Sequence, residues 1–211
     1  MFFLAFEGLD GSGKSSLMNR LKSHLTELQI SFIQTREPGG TAVGDQLREI
    51  ILKKTEEAPQ PRTELLLYEA SRAQHVELVI KPALEQKKWV LCDRFTASSV
   101  AFQAGGRQIS EDQVEWLNSF ATGPVRPDLN VLLDLSVEES EKRRQFRRQE
   151  GGDSEDRIES EVSSFHQRVR AGFLKQAVAQ PQQWLVLDAS ASPEDLFNLL
   201  IEELKRRKWL V

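Results

Sequence analysis

Cysteine is nearly absent: Cys92 stands alone, so no disulfide can form within the chain and no zinc-ligand spacing exists. That scarcity suits a reducing interior, and a cytoplasmic protein is expected. No apolar run approaches the roughly 20 residues of a membrane-spanning helix. Met1–Phe6 is apolar but far too short for a signal peptide, with neither a basic flank nor a cleavage site, and reads as a buried strand. Positive charge is not in excess either. Against 28 Lys and Arg stand 32 Asp and Glu, a net charge of −4, which argues against a nucleic-acid binder. His24, His75 and His166 lack ligand or triad spacing and are given no catalytic role. Internal repeats and long linkers are missing too.

What is present suits one domain over 1–211. Hydrophobic residues make up 39% of the chain and charged ones 28%, enough for a core and far from disorder. Short apolar runs at Phe2–Phe6, Phe32–Thr35, Trp89–Asp93, Val131–Leu135 and Trp184–Asp188 read as buried strands. Helical patterns fall near 14–29, 42–54, 62–86, 110–121, 137–149, 157–180 and 193–208. Ser136 with Glu139 forms a capping box, and Ser192-Pro193 opens the last helix. The alternation predicts an α/β fold, a doubly wound five-stranded parallel sheet with helices on both faces. Ligands are then expected beyond the carboxyl ends of the strands. Glu150–Asp156, with its Gly151–Gly152 pair, reads as an exposed loop and a candidate lid.

Gly8-Leu9-Asp10-Gly11-Ser12-Gly13-Lys14-Ser15 fits G-x-x-x-x-G-K-[ST] in full. Its glycines let backbone N–H groups turn inward around a phosphate chain. Lys14 reaches the β- and γ-phosphates of ATP, the Ser15 hydroxyl suits Mg²⁺, and the following helix adds its N-terminal dipole. A strand before and an amphipathic helix after, with Leu17, Leu21 and Leu25 on one face, strengthen the match. Nucleotide switches and kinases share this loop, so it does not name the reaction. Asp93, ending an apolar strand, suits Mg²⁺ directly or through water, and Arg94 beside it offers a planar fork to a second phosphate.

Four segments together resemble the thymidylate kinase (dTMP kinase) family, among the P-loop nucleoside monophosphate kinases. They are Phe6–Ser16, Thr35-Arg-Glu-Pro-Gly-Gly-Thr41, Tyr68-Glu-Ala-Ser-Arg-Ala-Gln-His75 and Asp93–Gln103. Weaker likeness continues through Arg126–Leu129 and Asp156–Glu159, covering nearly the whole chain. The resemblance implies transfer of phosphate from ATP to dTMP by a cytoplasmic homodimer. It also implies that Asp10 contacts the sugar 3′-hydroxyl and the water shell of the metal. Arg94 would hold the acceptor phosphate with Arg36 close by, and Glu37-Pro38 would border the nucleoside pocket. Tyr68 would stack on thymine, Arg72 would bond a thymine carbonyl, Ser99 and Gln103 would line the pocket, and Phe102 would press on the sugar. Tyr68 stands where the family commonly has Phe, and Phe95 and Phe102 where it often has Tyr; the rings are kept. Read without the resemblance, Tyr68 and Arg72 are a helical pair that packs locally, and Phe102 is a core aromatic.

Lys142, Arg143, Arg144, Arg147 and Arg148 form a basic run before the candidate lid loop, together spanning about 142–156. Arginines closing over a transferring phosphoryl group stabilise its charge and exclude water. Some thymidylate kinases carry that cation within the cradle, where this chain has Gly11. The resemblance is therefore to the branch whose lid arginines act, here Arg144, Arg147 or Arg148, with Arg143 instead a candidate for stacking on adenine. No histidine is needed, because the acceptor is a phosphate already largely ionised, with a second pKa of about 6. The rival readings are a kinase for another nucleotide, a P-loop switch or ATPase acting through a protein partner, and an inactive binding paralogue.

Overall fold

In the computed structural model, which describes residues 1–151 and 154–210, β1 (Phe3–Glu7) runs through the middle of a five-stranded sheet. β3 (Trp89–Asp93) and β4 (Leu129–Asp134) flank it, and β2 (Phe32–Arg36) and β5 (Trp184–Asp188) form the edges, in the order β2-β3-β1-β4-β5. All four pairings are parallel, with Phe3 opposite Val90 and Leu4 opposite Leu129. The strands therefore end together, and each ends on a charged residue: Glu7, Arg36, Asp93, Asp134 and Asp188. That edge is where the chemistry collects.

Both faces of β1 are covered, which explains why it reads as unbroken apolar sequence. Leu4 and Phe6 pack with Leu17, Leu21 and Leu25 of α1 (Lys14–Glu27) and Leu196, Leu200 and Leu204 of α9 (Pro193–Arg206). Phe3 and Ala5 face the other way, toward Val76, Ile80 and Phe95. Beside them Leu132 meets Phe165, Val169 and Phe173 of α8 (Ser163–Ala179). Each fully buried Leu or Phe contributes about 1.5–3 kcal/mol, so these faces, not local propensity, anchor the cradle between them.

Several boundaries differ from expectation. The strand expected at Val131–Leu135 starts at Leu129, because the Phe3 N–H donates to the Asp128 carboxylate at 2.7 Å and draws the chain into register early. α3 (Pro61–His75) continues through a π-helical step at Val76–Ile80 into α4 (Lys81–Glu85), matching the expected rod over 62–86 apart from that step. The helix expected from 157 begins only at Ser163. Residues 157–161 form turns instead, because Arg157 donates to the Ile51 carbonyl and to Glu64 while Glu159 is taken by Arg144 and Arg147.

A helix with no sequence signal runs through α5 (Thr96–Ser99) and a π-helical stretch, Val100–Gly106. Its serines and glycines are poor helix formers. It is held by close approach to α8: a Cβ on Gly106 would lie 2.5 Å from the Phe165 ring, and one on Gly172 would lie 3.1 Å from Ala101 Cα. The remaining helices, α2 (Ala42–Leu52), α6 (Glu111–Thr122) and α7 (Val137–Gln149), fall close to their expected places. The Ser136 cap accepts from Glu139 N at 3.2 Å and the Ser192 cap from Asp195 N at 3.1 Å. The basic run occupies the second half of α7; Gly152 and Asp153 of the expected loop lie outside the described residues.

Candidate active site

The glycine-rich turn leaves β1 at Gly8, whose φ of 129° no other residue adopts easily and whose Cβ would strike the Leu133 carbonyl at 2.4 Å. Gly13, at φ 96°, caps α1 and aims its first N–H groups at the turn. Lys14 is buried, and its Nζ donates to the carbonyls of Gly8 and Leu9 at 3.2 and 3.1 Å. Burial and the neighbouring Arg94 push its pKa down, against the pull of Asp93 and Asp10. The Ser12 hydroxyl is buried and has no partner among the described residues. α7 leans on this turn, where Ser140 Oγ donates to the Asp10 carbonyl at 2.7 Å.

Arg94 stands at the centre. It is held at φ 68°, a left-handed conformation costing about 1–3 kcal/mol in a non-glycine residue. Its N–H donates to the Phe6 carbonyl at 2.9 Å, so the backbone strain is carried by the sheet. Its guanidinium donates to Asp10 Oδ1 at 2.8 Å and to the Gly8 carbonyl at 2.9 Å, and lies 5.0 Å above the Phe102 ring. Burial raises the Asp10 carboxyl, but Arg94 and Lys14 outweigh it and hold the group well below the usual carboxylate range. Beneath lies Glu7, fully buried, accepting from Phe95 N at 2.8 Å and Ser98 Oγ at 2.5 Å. Burial pushes it up to about 7 despite Arg94 and those hydrogen bonds.

Every residue assigned above to dTMP except Arg36 lines one cavity: Asp10, Glu37, Pro38, Tyr68, Arg72, Arg94, Ser99, Phe102 and Gln103. Arg36 lies in the adjoining cavity, which holds Gly11, Gly13, Lys14, Ser15, Asp93, Arg143 and Arg147. Asp10, Glu37, Arg48 and Arg94 line both, so the cradle and the second cavity share a wall.

Arg72 is fully buried and mostly committed. Nε donates to Glu37 at 2.7 Å, Nη1 faces Glu69, Ser99 and Asn118, and Nη2 donates to the Phe95 carbonyl at 3.0 Å. A guanidinium has five N–H donors, so one Nη2 hydrogen is left for a ligand. Its carbon lies 5.5 Å from the Phe95 ring, so the packing is not merely local along the helix. His75 is buried between Thr35 Oγ1 and Glu37 Oε1, bracing Glu37. Burial lifts the Tyr68 phenol above its usual range, so the ring meets the cavity uncharged.

Within the basic run, Arg143 and Arg147 line the cradle cavity. Arg147 also donates to Glu159 at 2.8 Å, Arg148 pairs with Glu155 at 2.9 Å, and Arg144 is buried against the Glu159 carbonyl, with its Nε unpartnered among the described residues.

Ser15 is exposed and lines the same cavity as Asp93, whose Oδ1 is buried and accepts nothing among the described residues. No group of three or more His, Cys, Asp or Glu side chains is placed to hold a metal among those residues. A lone carboxylate plus a hydroxyl fits Mg²⁺, which keeps its waters and takes phosphate oxygens rather than a protein cage.

Arg48, Glu7 and Asp156 were not anticipated. Arg48 looks like any surface arginine on an amphipathic helix, yet it donates to the Pro38 carbonyl at 3.1 Å and lines both cavities. Glu7 did carry a signal, as the one charge in an apolar strand directly before Gly8. Asp156, the last residue of the loop expected to be exposed, is half-buried and lines the cavity instead.

A family model described as "Thymidylate kinase" matches residues 6–200. A thymidylate kinase from Bdellovibrio bacteriovorus is 60% identical over 210 residues, covering 100% of this chain and 98% of its own length. One from Geobacter sp. strain M21 is 46% identical over 98% of this chain and 92% of its own. Another, from Lactobacillus helveticus, is 40% identical, with 98% and 96% covered.

Proposed function

The chain belongs to the thymidylate kinase family, and on that premise we propose that dTMP occupies the cavity around Tyr68 and Arg72 while the ATP phosphates fill the glycine-rich cradle. The reaction is ATP + dTMP to ADP + dTDP. The observation that carries the assignment is Arg94, whose two arms touch the cradle carbonyl of Gly8 and Asp10 while its body lines the acceptor cavity. An acceptor phosphate held there faces the γ-phosphate in line, and the chemistry becomes positioning plus charge neutralisation.

In this reading Lys14 and the turn's N–H groups hold the donor phosphates. Arg94 and Arg48, with Arg36 beside them, orient the acceptor. Asp10 keeps Arg94 aligned and meets the sugar hydroxyl. Ser15 and Asp93 would hold Mg²⁺, which would supply charge neutralisation at the ATP phosphates. No side chain takes a proton from the acceptor, which is already ionised at neutral pH. Tyr68 stacks on the base, Arg72 donates its free N–H to a thymine carbonyl, and Glu37-Pro38, Ser99 and Gln103 shape the pocket. Phe102, packed under Arg94, occupies the sugar side. The lid is 142–156, with Arg147 reaching the transferring phosphoryl from the cavity wall and Arg144 and Arg148 moving in when their ties to Glu159 and Glu155 are exchanged. Arg143, on the same wall, is the candidate for adenine.

ADP release measured across dTMP, dUMP, dGMP and thymidine tests the assignment. Fast release with dTMP and none with thymidine is expected, since the acceptor arginines require a phosphate. Release independent of any acceptor would leave an ATPase in its place.

The protein is further proposed to work in the cytoplasm as a homodimer. Among the described residues no helix is long and apolar enough to cross a membrane. On α6, Trp116 and Phe120 stack at 5.8 Å while 65% and 78% exposed, and Trp116 lines a groove with Leu66 of α3. An apolar surface of this kind suits a second copy. Trp116→Glu combined with Phe120→Glu is expected to halve the sedimenting mass in analytical ultracentrifugation; an unchanged mass would place the interface elsewhere.

A further inference from the structure

We propose that Glu64 is a positioning residue that sets which pyrimidine the acceptor cavity takes, by holding the Gln103 amide with its carbonyl turned to the base. The proposal rests on reading that cavity as the dTMP site. Glu64 is fully buried at the first turn of α3. Its carboxylate accepts from Gln103 Nε2 at 2.9 Å, from Arg107 Nη2 at 2.9 Å and from Arg157 Nη2 at 2.7 Å. Arg107 Nε also donates to it, at 3.1 Å, so four donor atoms on three residues from two separate segments meet on one group.

The consequence for Gln103 follows from donor and acceptor chemistry. Burial alone would raise Glu64, but the Arg107 hydrogen bonds and charge, with Gln103 and Arg157, lower it on balance, so it is ionised at neutral pH. An ionised carboxylate only accepts. Gln103 must therefore present its NH₂ to Glu64, and the alternative amide orientation, which would set two oxygens against each other, is excluded. No protein group among the described residues donates to Gln103 Oε1, and Gln103 lines the cavity. Arg72, with one Nη2 hydrogen not used in these bonds, lines the same cavity.

The pair offers one donor and one acceptor. Thymine and uracil present a C4 carbonyl and an N3–H, which match both. Cytosine presents an amino group and an unprotonated N3, which oppose both. Sites built around such hydrogen bonds reject mismatched ligands strongly, because buried polar groups are left unpaired. Glu64 also ties down Arg157, next to Asp156 and Ile158 on the cavity wall, so the base edge and the segment after the lid share one anchor.

The test is the ratio of kcat/KM for dTMP to that for dCMP in the full chain. The unmodified protein is expected to favour dTMP by about 10³-fold or more. Glu64→Gln replaces a pure acceptor with an amide that pairs with Gln103 in either orientation, and should lower the ratio by at least about 10-fold. Glu64→Asp, still a pure acceptor, should keep the ratio within about threefold even if KM rises. A purely structural Glu64 would reduce thermal stability in both variants and leave the ratio alone. A folded Glu64→Gln enzyme with an unchanged ratio overturns the proposal. If that variant does not fold, Gln103→Leu serves, since it leaves Glu64 its arginines; an unchanged ratio there overturns the proposal equally. Failure of the unmodified chain to use dTMP at all would instead remove the reading of the cavity, and this proposal with it.

Discussion

Lys14→Ala is expected to lower kcat by about 10²- to 10³-fold, the usual loss when one preorganised charge donor is removed from a transition state. Lys14 is the cation within the glycine-rich turn, and it is already desolvated and docked on the Gly8 and Leu9 carbonyls. In the proposed reading a γ-phosphate takes the place of those contacts, with little reorganisation. The loss should fall on kcat and only weakly on KM for dTMP, because the acceptor cavity does not include Lys14. Single-turnover measurement with saturating ATP and dTMP checks it. A near-normal rate would remove Lys14 from the chemistry and leave the lid arginines to carry it.

Arg94→Ala is expected to raise KM for dTMP by about 10²-fold while changing KM for ATP by no more than about threefold. A charge-assisted hydrogen bond contributes roughly 1.5–3 kcal/mol, and the guanidinium fork can supply two to one phosphate. The substitution has a structural cost as well. Asp10 Oδ1 would lose its 2.8 Å partner, and Lys14, at 3.9 Å, is too distant to replace it. Its carboxyl should then titrate closer to the ordinary range. Because Asp10 is depressed in the folded protein, its contribution is present above the unfolded pKa and lost as pH falls below it. Arg94→Ala should therefore flatten the loss of stability in acid below about pH 4, as followed by thermal melts from pH 5 down to pH 2. Equal increases in both KM values would show that Arg94 serves the donor and acceptor alike. Glu7 works in the opposite sense: raised to about 7, it favours the folded state as pH falls from 7 toward the unfolded carboxylate value near 4.5.

Legibility followed how local each interaction is. The turn at 8–15 could be read in full because its function depends on neighbours in the chain: glycines where backbone must bend, and a lysine and serine opening the next helix. The five strands were legible for a related reason, since a strand buried on both faces is simply apolar. Boundaries failed where a distant side chain intervened, as Asp128 does on Phe3 and Glu159 on the arginines of α7. The helix over 96–106 had no signal, because what holds it is the fit of Gly106 and Gly172 against α8.

The sequence by itself determined the parallel α/β sheet, the phosphate-binding turn and, through four ordered segments, the family and the reaction. Those depend on local backbone geometry and on motifs whose members lie within a few residues. Only the tertiary structure decided which groups meet. It brought Arg48 and Asp156 to the cavity beside the glycine-rich turn, turned most of Arg72 inward, left one Asp93 oxygen without a partner among the described residues and gathered Gln103, Arg107 and Arg157 on Glu64. Hydrogen bonds between side chains 39 to 93 residues apart leave no periodic trace in a chain, because each depends on a fold assembled elsewhere.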